Sequence, residues 1–143
     1  LAMIGLGVLE ADLKAKCHRL HLDDCVDFLG FLDGPEKYRI IKSSRVVVHP
    51  AIYDSGGMAP AEALACGLPG VAFDLPSLKT YYPKGFLKAR EGSLQEFAGH
   101  ILRLLKEPDL YAKMSAEARS AGAEWDWDAR AQQLLDAILQ HLP

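Results

Sequence analysis

The chain has 143 residues, half of them apolar, and carries a formal net charge of −3 at pH 7. This length fits one domain with a hydrophobic core, and no apolar run approaches the roughly 20 residues that a membrane span needs. Lysine and arginine are dispersed and the three cysteines lack C-x-x-C spacing, which predicts no nucleic-acid or membrane surface and a reducing, cytoplasmic compartment.

The first third of the chain alternates strand and helix patterns. The predicted strands cover residues 1–4 and 26–31, and the predicted helices cover 10–22 and 35–43. Gly5 and Gly7 follow the first strand as G-x-G, but Glu10 stands where a dinucleotide fingerprint has its third glycine. The pair therefore fits a tight turn as well as it fits a nucleotide site.

The most informative stretch is HPAIYDSGGMAPAEALACGLP, which begins at His49. It follows three valines at 46–48, a β-branched run typical of a buried strand in a parallel sheet. Small residues at 54–57 predict a turn, and a helix is predicted over 58–66 with Gly67 as its left-handed cap. A strand, a glycine turn and a helix N-terminus together predict an anion site, because free amides and the helix dipole converge there.

Two carboxylates flank this predicted anion site. Asp54 lies in the turn, and Glu62 lies eight residues later in the helix. A carboxylate repels a phosphate, so both side chains are better suited to accept hydrogen bonds from hydroxyl groups. Hydroxyl groups on either side of a phosphate suggest a nucleotide sugar.

The second half continues with two short strands and three helices. The strands are predicted at 70–74 and 86–89, and the helices at 93–106, 108–122 and 126–142. Ser93 and Glu96 have the spacing of a capping box. Asp126 is predicted to cap the last helix, whose apolar positions we expect to face the core: Trp127, Ala131, Leu134, Leu135 and Ile138.

The segment between the two late strands is predicted to be a loop over residues 78–85. Lys79 and Lys84 in this loop fit either a phosphate or acidic-acceptor contact or ordinary solvated surface. Tyr81 and Tyr82 fit either sugar stacking or packing at the core or its rim, and we favour packing.

The order of elements predicts an α/β fold, a Rossmann-like doubly wound parallel sheet with helices on both faces. Ligands of such sheets bind beyond the carboxyl ends of the strands. The segment from Asp54 to Glu62 follows one such strand end, so the predicted fold and the predicted site agree.

The stretch from Asp54 onward resembles the nucleotide-sugar signature of the retaining GT-B glycosyltransferases of group 1 (family 4-like). In that signature an acidic residue, seven further residues and a glutamate precede a small-residue helix that ends in G-x-P. The matching positions are Asp54, Glu62, Ala63, Ala65, Gly67 and Pro69. Asp54 departs from the pattern, because the first acid of the family is usually a glutamate.

The resemblance implies that residues 1–143 are the C-terminal, donor-binding half of a longer two-domain GT-B enzyme. The N-terminal acceptor domain and an Arg/Lys pair would lie outside this sequence. The implied reaction is retaining transfer from a UDP-, GDP- or ADP-linked sugar, without a metal or other cofactor. The whole enzyme is expected in the cytoplasm, with peripheral docking at the membrane as an open alternative.

The resemblance also implies roles for individual residues. As the catalytic pair, Asp54 would hold a hydroxyl of the donor sugar and Glu62 would accept from the ribose hydroxyls. The remaining predicted donor-binding residues would place backbone atoms near the sugar, the phosphates or the nucleotide: Gly5, Gly7, Ser55, Gly56, Gly57 and Met58.

Other functions stay open at this point. One is a non-catalytic module that binds a nucleotide sugar. Another is a GT-B relative with different chemistry, such as a UDP-sugar epimerase or a sugar phosphorylase, although no lysine has the context of a pyridoxal site. A Rossmann dehydrogenase ranks lower, because the glycine fingerprint is broken at Glu10.

Overall fold

The computed structural model describes residues 1–141. Leu142, where the last helix is predicted to end, lies outside the described residues. The chain divides into two compact units, residues 1–43 and the residues from Ser44 onward. Each unit is described separately below.

The first unit contains two short parallel strands, two α-helices and a single-turn 3₁₀-helix (Asp23–Cys25). Its elements are β1 (Ala2–Met3), α1 (Glu10–Arg19), β2 (Asp27–Phe28) and α2 (Gly34–Ser43). Ala2 pairs with Asp27 and Met3 with Phe28. Helix α1 ends earlier than predicted, because His21 adopts a positive φ of 54° that a right-handed helix excludes.

The second unit contains three strands and five helices. Its elements are β3 (Val47–His49), α3 (Met58–Ala65), β4 (Gly70–Phe73), α4 (Pro76–Tyr81), β5 (Phe86–Ala89), α5 (Leu94–Lys106), α6 (Pro108–Ala123) and α7 (Trp127–His141). All pairing is parallel, in the order β3–β4–β5. The predicted α/β fold with parallel strands and intervening helices is confirmed.

The core of the second unit is built around β4, whose four residues are all buried. Leu64 of α3, Leu104 of α5 and Tyr82 after α4 are fully buried beside it. The first position of β4 is a glycine, Gly70, because the neighbouring strands leave no space for a side chain there. A Cβ at this position would lie 2.3 Å from the Phe86 ring and 2.6 Å from Val47.

Helix α3 is fixed against α6 at its C-terminal end. Gly67 adopts the predicted left-handed conformation at φ +72°, and its carbonyl accepts a 2.9 Å hydrogen bond from the buried Ser115 hydroxyl. Gly122 lets the two helices approach closely, since a Cβ there would lie 2.5 Å from the Leu64 carbonyl oxygen. These contacts hold the helix that carries Glu62.

Three sequence predictions about this unit are wrong in part. The first half of the predicted loop, residues 78–81, is helical, because Pro76 at the first position begins α4. The capping box is half formed: Ser93 Oγ accepts from the Glu96 amide at 3.4 Å, but the Glu96 carboxylate binds Arg90 instead. Asp126 caps α7 as predicted, but no residue of that helix within 127–141 is buried.

Two further features bear on the composition arguments. Within residues 1–141, no helix has both the length and the apolar character needed to cross a membrane. The three cysteines are free thiols, as expected, but the expectation that they are buried is wrong, because Cys25 is exposed and Cys17 and Cys66 are half-buried.

Candidate functional site

The candidate site is the turn between β3 and α3. Strand β3 ends at His49, and α3 begins at Met58 with Gly57 as its N-cap. The predicted strand, turn and helix N-terminus are therefore confirmed. Parallel strands present such βα turns at their carboxyl ends, which is where ligands of α/β sheets bind.

Asp54 organises this turn through hydrogen bonds within it. One oxygen, Oδ1, accepts from the Gly56 amide at 2.6 Å and from the Gly57 amide. The other, Oδ2, lies 2.5 Å from His49 Nε2. The Asp54 side chain is only 6% exposed, so the turn encloses a carboxylate that is almost fully removed from solvent.

The electrostatics of Asp54 favour its ionised form. Burial alone would raise the pKa of Asp54. The amide hydrogen bonds from Gly57 and Gly56 and the contact with His49 outweigh burial, and the pKa falls below its ordinary value. At neutral pH the turn therefore contains a fixed negative charge beside the N-terminus of α3.

The amides of the turn are not all free, contrary to the sequence prediction. Asp54 occupies those of Gly56 and Gly57, because its short side chain folds back onto its own turn. The Met58 amide is the first of α3, a position that has no intrahelical acceptor. Of the three predicted amides, Met58 is thus the one that Asp54 leaves available.

Tyr82 contacts the same turn from the core. Its hydroxyl donates to the Gly57 carbonyl at 2.7 Å and is 3.4 Å from the Gly56 carbonyl. The ring is fully buried and stacks on Trp125 with centroids 5.4 Å apart. Burial raises the pKa of Tyr82 to about 12, and the Asp54 charge adds to the shift, so the phenol remains a donor at neutral pH.

The other predicted residues of this turn and helix occupy different environments. Glu62 is half-buried in the second turn of α3, on the same strand–turn–helix unit as Asp54. Ser55 and Met58 are exposed. Gly56 has φ +110°, a backbone conformation that favours glycine, and a Cβ there would lie 3.1 Å from the Tyr81 ring.

Gly5 and Gly7 belong to the first unit. The Gly5 amide donates to the Gly30 carbonyl at 2.7 Å, and the Gly7 carbonyl accepts from the Glu10 amide at 3.1 Å. A Cβ at either glycine would meet no atom within 4 Å. The backbone at both positions is therefore open to the approach of a ligand.

The two lysines after β4 are mostly solvated. Lys79 Nζ forms a 3.0 Å ion pair with Asp74, and its side chain is 60% exposed. Lys84 is also exposed. Within residues 1–141, no three His, Cys, Asp or Glu side chains converge as a metal site would require.

Sequence reasoning missed two contributors to the turn. His49 enters the sequence argument only as the first residue of the motif, although it lies 2.5 Å from Asp54 in the structure. Tyr82 packs as the sequence predicts, but nothing in the sequence indicates that its hydroxyl reaches a backbone carbonyl 25 residues earlier.

The family of the chain follows from its match over most of its length. Residues 1–121 match the protein family described as glycosyl transferases group 1. This chain belongs to that family. The resemblance found in the stretch from Asp54 onward is thereby confirmed for a region that includes the whole candidate site.

The relatives of this group 1 glycosyltransferase chain are longer proteins. The amylovoran biosynthesis glycosyltransferase AmsK of Erwinia amylovora is 31% identical over 98% of this chain and 36% of its own length. The D-inositol 3-phosphate glycosyltransferase of Gordonia bronchialis is 27% identical over 84% of this chain and 27% of its own length. The chain therefore spans about a third of such relatives.

Solved structures show the same fold. Sucrose-phosphate synthase from Thermosynechococcus elongatus matches 98% of this chain and 37% of its own, with a TM-score of 0.83 and 24% identity. Anabaena HepE, solved in complex with UDP and glucose, matches 97% of this chain and 40% of its own, with a TM-score of 0.84 and 21% identity. The GT-B assignment of the fold is confirmed.

Proposed function

We propose that this group 1 glycosyltransferase chain binds a nucleotide-diphosphate sugar and supplies the donor half of a retaining transferase. The observation that carries the proposal is the β3–α3 turn, where a buried carboxylate, a helix N-terminus and Glu62 occur on one strand–turn–helix unit. The acceptor would be bound by a separate N-terminal domain of the whole enzyme.

In this proposal Asp54 holds one hydroxyl of the donor sugar. A carboxylate offers about four lone-pair positions, and three are occupied by Gly56, Gly57 and His49. The remaining position is on Oδ2, because Oδ1 already accepts two amides. A hydroxyl donated there would find an acceptor whose direction is fixed before the ligand arrives.

In this proposal Glu62 binds the nucleotide part of the donor. Its half-buried position on α3 suits a carboxylate that accepts from the two ribose hydroxyls. The exposed Ser55 and Met58 present backbone to the sugar and phosphates. Gly5 and Gly7 remain predicted donor-binding positions, and a Cβ at either would meet no atom within 4 Å.

The reaction would depend on stabilising the leaving diphosphate. Asp54 is not proposed as a nucleophile, since its carboxylate already accepts three hydrogen bonds that weaken its ability to attack an anomeric carbon. Amide dipoles at the N-terminus of α3 and basic groups of the N-terminal domain would meet the charge that develops on the diphosphate. We expect this chemistry to need no metal ion.

The nature of the nucleotide can be approached through the solved relatives. HepE has been solved with UDP and with UDP-glucose, which supports a test that begins with uridine nucleotides. GDP and ADP conjugates complete the set, because nothing in the described residues selects a base.

The test is calorimetric titration of the chain with UDP, GDP, ADP and their common sugar conjugates. Glu62→Gln should weaken the preferred nucleotide by about ten- to a hundredfold, as expected for a lost hydrogen bond to a charged acceptor, ~1.5–3 kcal/mol. Glu91→Gln is the matched control, because it removes the same charge from an exposed turn. Equal affinities for both variants would overturn the role of Glu62.

A second experiment tests whether the whole protein is an enzyme or a non-catalytic module that binds a nucleotide sugar. The chain is produced together with the rest of its protein and assayed for sugar transfer and for donor hydrolysis, with and without EDTA. Transfer that persists in EDTA supports a metal-independent glycosyltransferase. Saturable donor binding with no turnover would support the non-catalytic module.

A further inference from the structure

Tyr82 stands outside the motif but holds the backbone of its turn. The Gly57 carbonyl accepts a 2.7 Å hydrogen bond from this hydroxyl, while the Gly57 amide donates to Asp54. Both backbone polar groups of Gly57 are therefore hydrogen-bonded, the N–H to the Asp54 carboxylate and the C=O to the Tyr82 phenol. Neither bond involves a group that a ligand has to displace.

The hydrogen bond from Tyr82 also fixes the orientation of the peptide group that joins Gly57 to Met58. No cis peptide is present in the described chain, so the Gly57–Met58 peptide is trans and its C=O and N–H point in opposite directions. The C=O points at Tyr82, which is fully buried. The Met58 N–H must then point away from the buried phenol.

We infer that Tyr82 is a positioning residue for the donor, because its hydroxyl aims the Met58 amide at the bound nucleotide sugar. This inference rests on the proposed function. Asp54 occupies the Gly56 and Gly57 amides, so Met58 has the remaining donor among the three predicted amides. The group that it would meet is a phosphate or sugar oxygen.

The rigid surroundings of Tyr82 make it suited to this task. Its ring stacks on Trp125 at an interplanar angle of 24° and lies 6.4 Å from the Phe86 ring. The raised pKa keeps the phenol protonated through the neutral range. A buried ring packed on two neighbours holds its hydroxyl in one place, so the peptide that it binds is also held in one orientation.

The test uses the chain labelled with ¹⁵N-methionine, which contains only three methionines. Met58 reports on the turn, Met114 on the buried face of α6 and Met3 on β1. In the free chain, Tyr82→Phe should move the Met58 amide signal and leave Met114 in place. Tyr81→Phe is the matched control, because it removes a neighbouring hydroxyl and keeps the ring that covers Gly56.

Titration with UDP-glucose, GDP-mannose and ADP-glucose completes the test. One of them should shift the Met58 signal of the unmodified chain, and Tyr82→Phe should reduce that shift and weaken affinity by about five- to tenfold. Trp125→Phe controls for stability, since it loosens the stacked ring without removing the hydroxyl. It should change affinity less than Tyr82→Phe does.

A failure of the role of Tyr82 and a failure of the proposed donor site are seen in different samples. Unchanged donor affinity in Tyr82→Phe, or an unmoved Met58 signal in the free variant, would overturn the assignment of Tyr82 alone. An equal loss of affinity in Trp125→Phe would also overturn it. No response of the unmodified chain to any of the three nucleotide sugars would overturn the proposed donor site, and the role of Tyr82 with it.

Discussion

His49 Nε2 lies 2.5 Å from Asp54 Oδ2, and this contact joins the end of β3 to the turn that begins α3. The two side chains are 18% and 6% exposed, so the pair is shielded from solvent. Both ends of the candidate site are thus tied together before any ligand binds. The contact also makes the site sensitive to acid.

The stability of the chain should fall on acidification partly through Asp54. Its folded pKa is below the ordinary value, so its contribution is fully present above about pH 4 and is lost as the pH falls through the folded pKa. Asp54→Asn should lower the free energy of unfolding at pH 7 by about 1–3 kcal/mol. Urea unfolding at about pH 7 and about pH 2.5 measures this.

The control for that experiment is Asp128→Asn, which removes an exposed carboxylate from α7. Only Asp54→Asn should flatten the dependence of stability on pH. The same pH dependence in the unmodified chain and in both variants would contradict the role given to Asp54.

Tyr82 should titrate well above the ordinary range of a tyrosine side chain. The chain has five tyrosines, and burial raises the pKa of Tyr82 to about 12. Because this pKa is raised, the stability it contributes is fully present below about pH 10 and is lost as the pH rises through about 12. Ultraviolet titration should show one late phenol, which Tyr82→Phe removes; a single phase in the unmodified chain would exclude this.

The close approach of α6 to α3 should make Gly122 intolerant of a side chain. A Cβ there would lie 2.5 Å from the Leu64 carbonyl oxygen, so Gly122→Ala should destabilise the chain by about 1–3 kcal/mol. Gly99→Ala provides the contrast, because this glycine lies inside α5 with no atom within 4 Å of a Cβ. It should stabilise by about 0.5–1 kcal/mol, as measured by thermal unfolding.

The hydrogen bond from Ser115 to the Gly67 carbonyl should contribute measurably to stability. Ser115→Ala leaves a buried carbonyl without this partner and takes an acceptor from Arg119, which should lower the free energy of unfolding by about 1–3 kcal/mol. Ser120→Ala on the exposed surface of the same helix corrects for helix propensity. Equal urea midpoints for the two variants would show that the bond contributes nothing.

The two tryptophans should differ sharply in their importance. Trp125 is half-buried and stacks on Tyr82, so Trp125→Ala should destabilise by about 2–3 kcal/mol. Trp127 is 81% exposed, and Trp127→Ala should change stability by no more than about 0.5 kcal/mol. Denaturant unfolding followed by circular dichroism compares them without relying on tryptophan emission; a larger effect at Trp127 would reverse the assignment.

Local signals in the sequence predicted most of the backbone. Pro35, Met58 and Pro108 lie at or next to the starts of their helices, and Gly67 ends α3 in the left-handed conformation that a glycine cap allows. These signals work because proline and glycine restrict or permit specific dihedral angles whatever the surroundings. The strand 86–89 was also predicted at its observed bounds.

Burial was predicted less well than secondary structure. The spacing of Trp127, Leu134 and Ile138 indicated an apolar face on the last helix, and the face exists. Periodicity, however, only says which side of a helix is apolar and does not say whether another element covers it. These residues are 49–81% exposed in the structure.

The candidate site was predicted by position but not by its internal bonding. The sequence placed Asp54, Gly57 and Glu62 at a strand–helix junction, and the structure agrees. Whether an aspartate reaches outward or folds back depends on side-chain length and on the turn geometry, which a spacing pattern does not contain. His49 is five residues from Asp54, but spacing alone does not fix the direction of its ring, and Tyr82 reaches the turn from 25 residues away through tertiary packing.

The G-x-P end of the signature can be explained without any ligand. Gly67 is required by its positive φ and by Arg119, whose side chain would lie 2.7 Å from a Cβ, and Pro69 is fully buried before the crowded Gly70. A chain that matches only these positions is therefore informative about architecture and silent about chemistry. In the proposed function, recognition of the donor depends on the acidic half of the signature, Asp54 and Glu62, so a match to its glycines and proline alone would identify relatives by fold and not by donor binding.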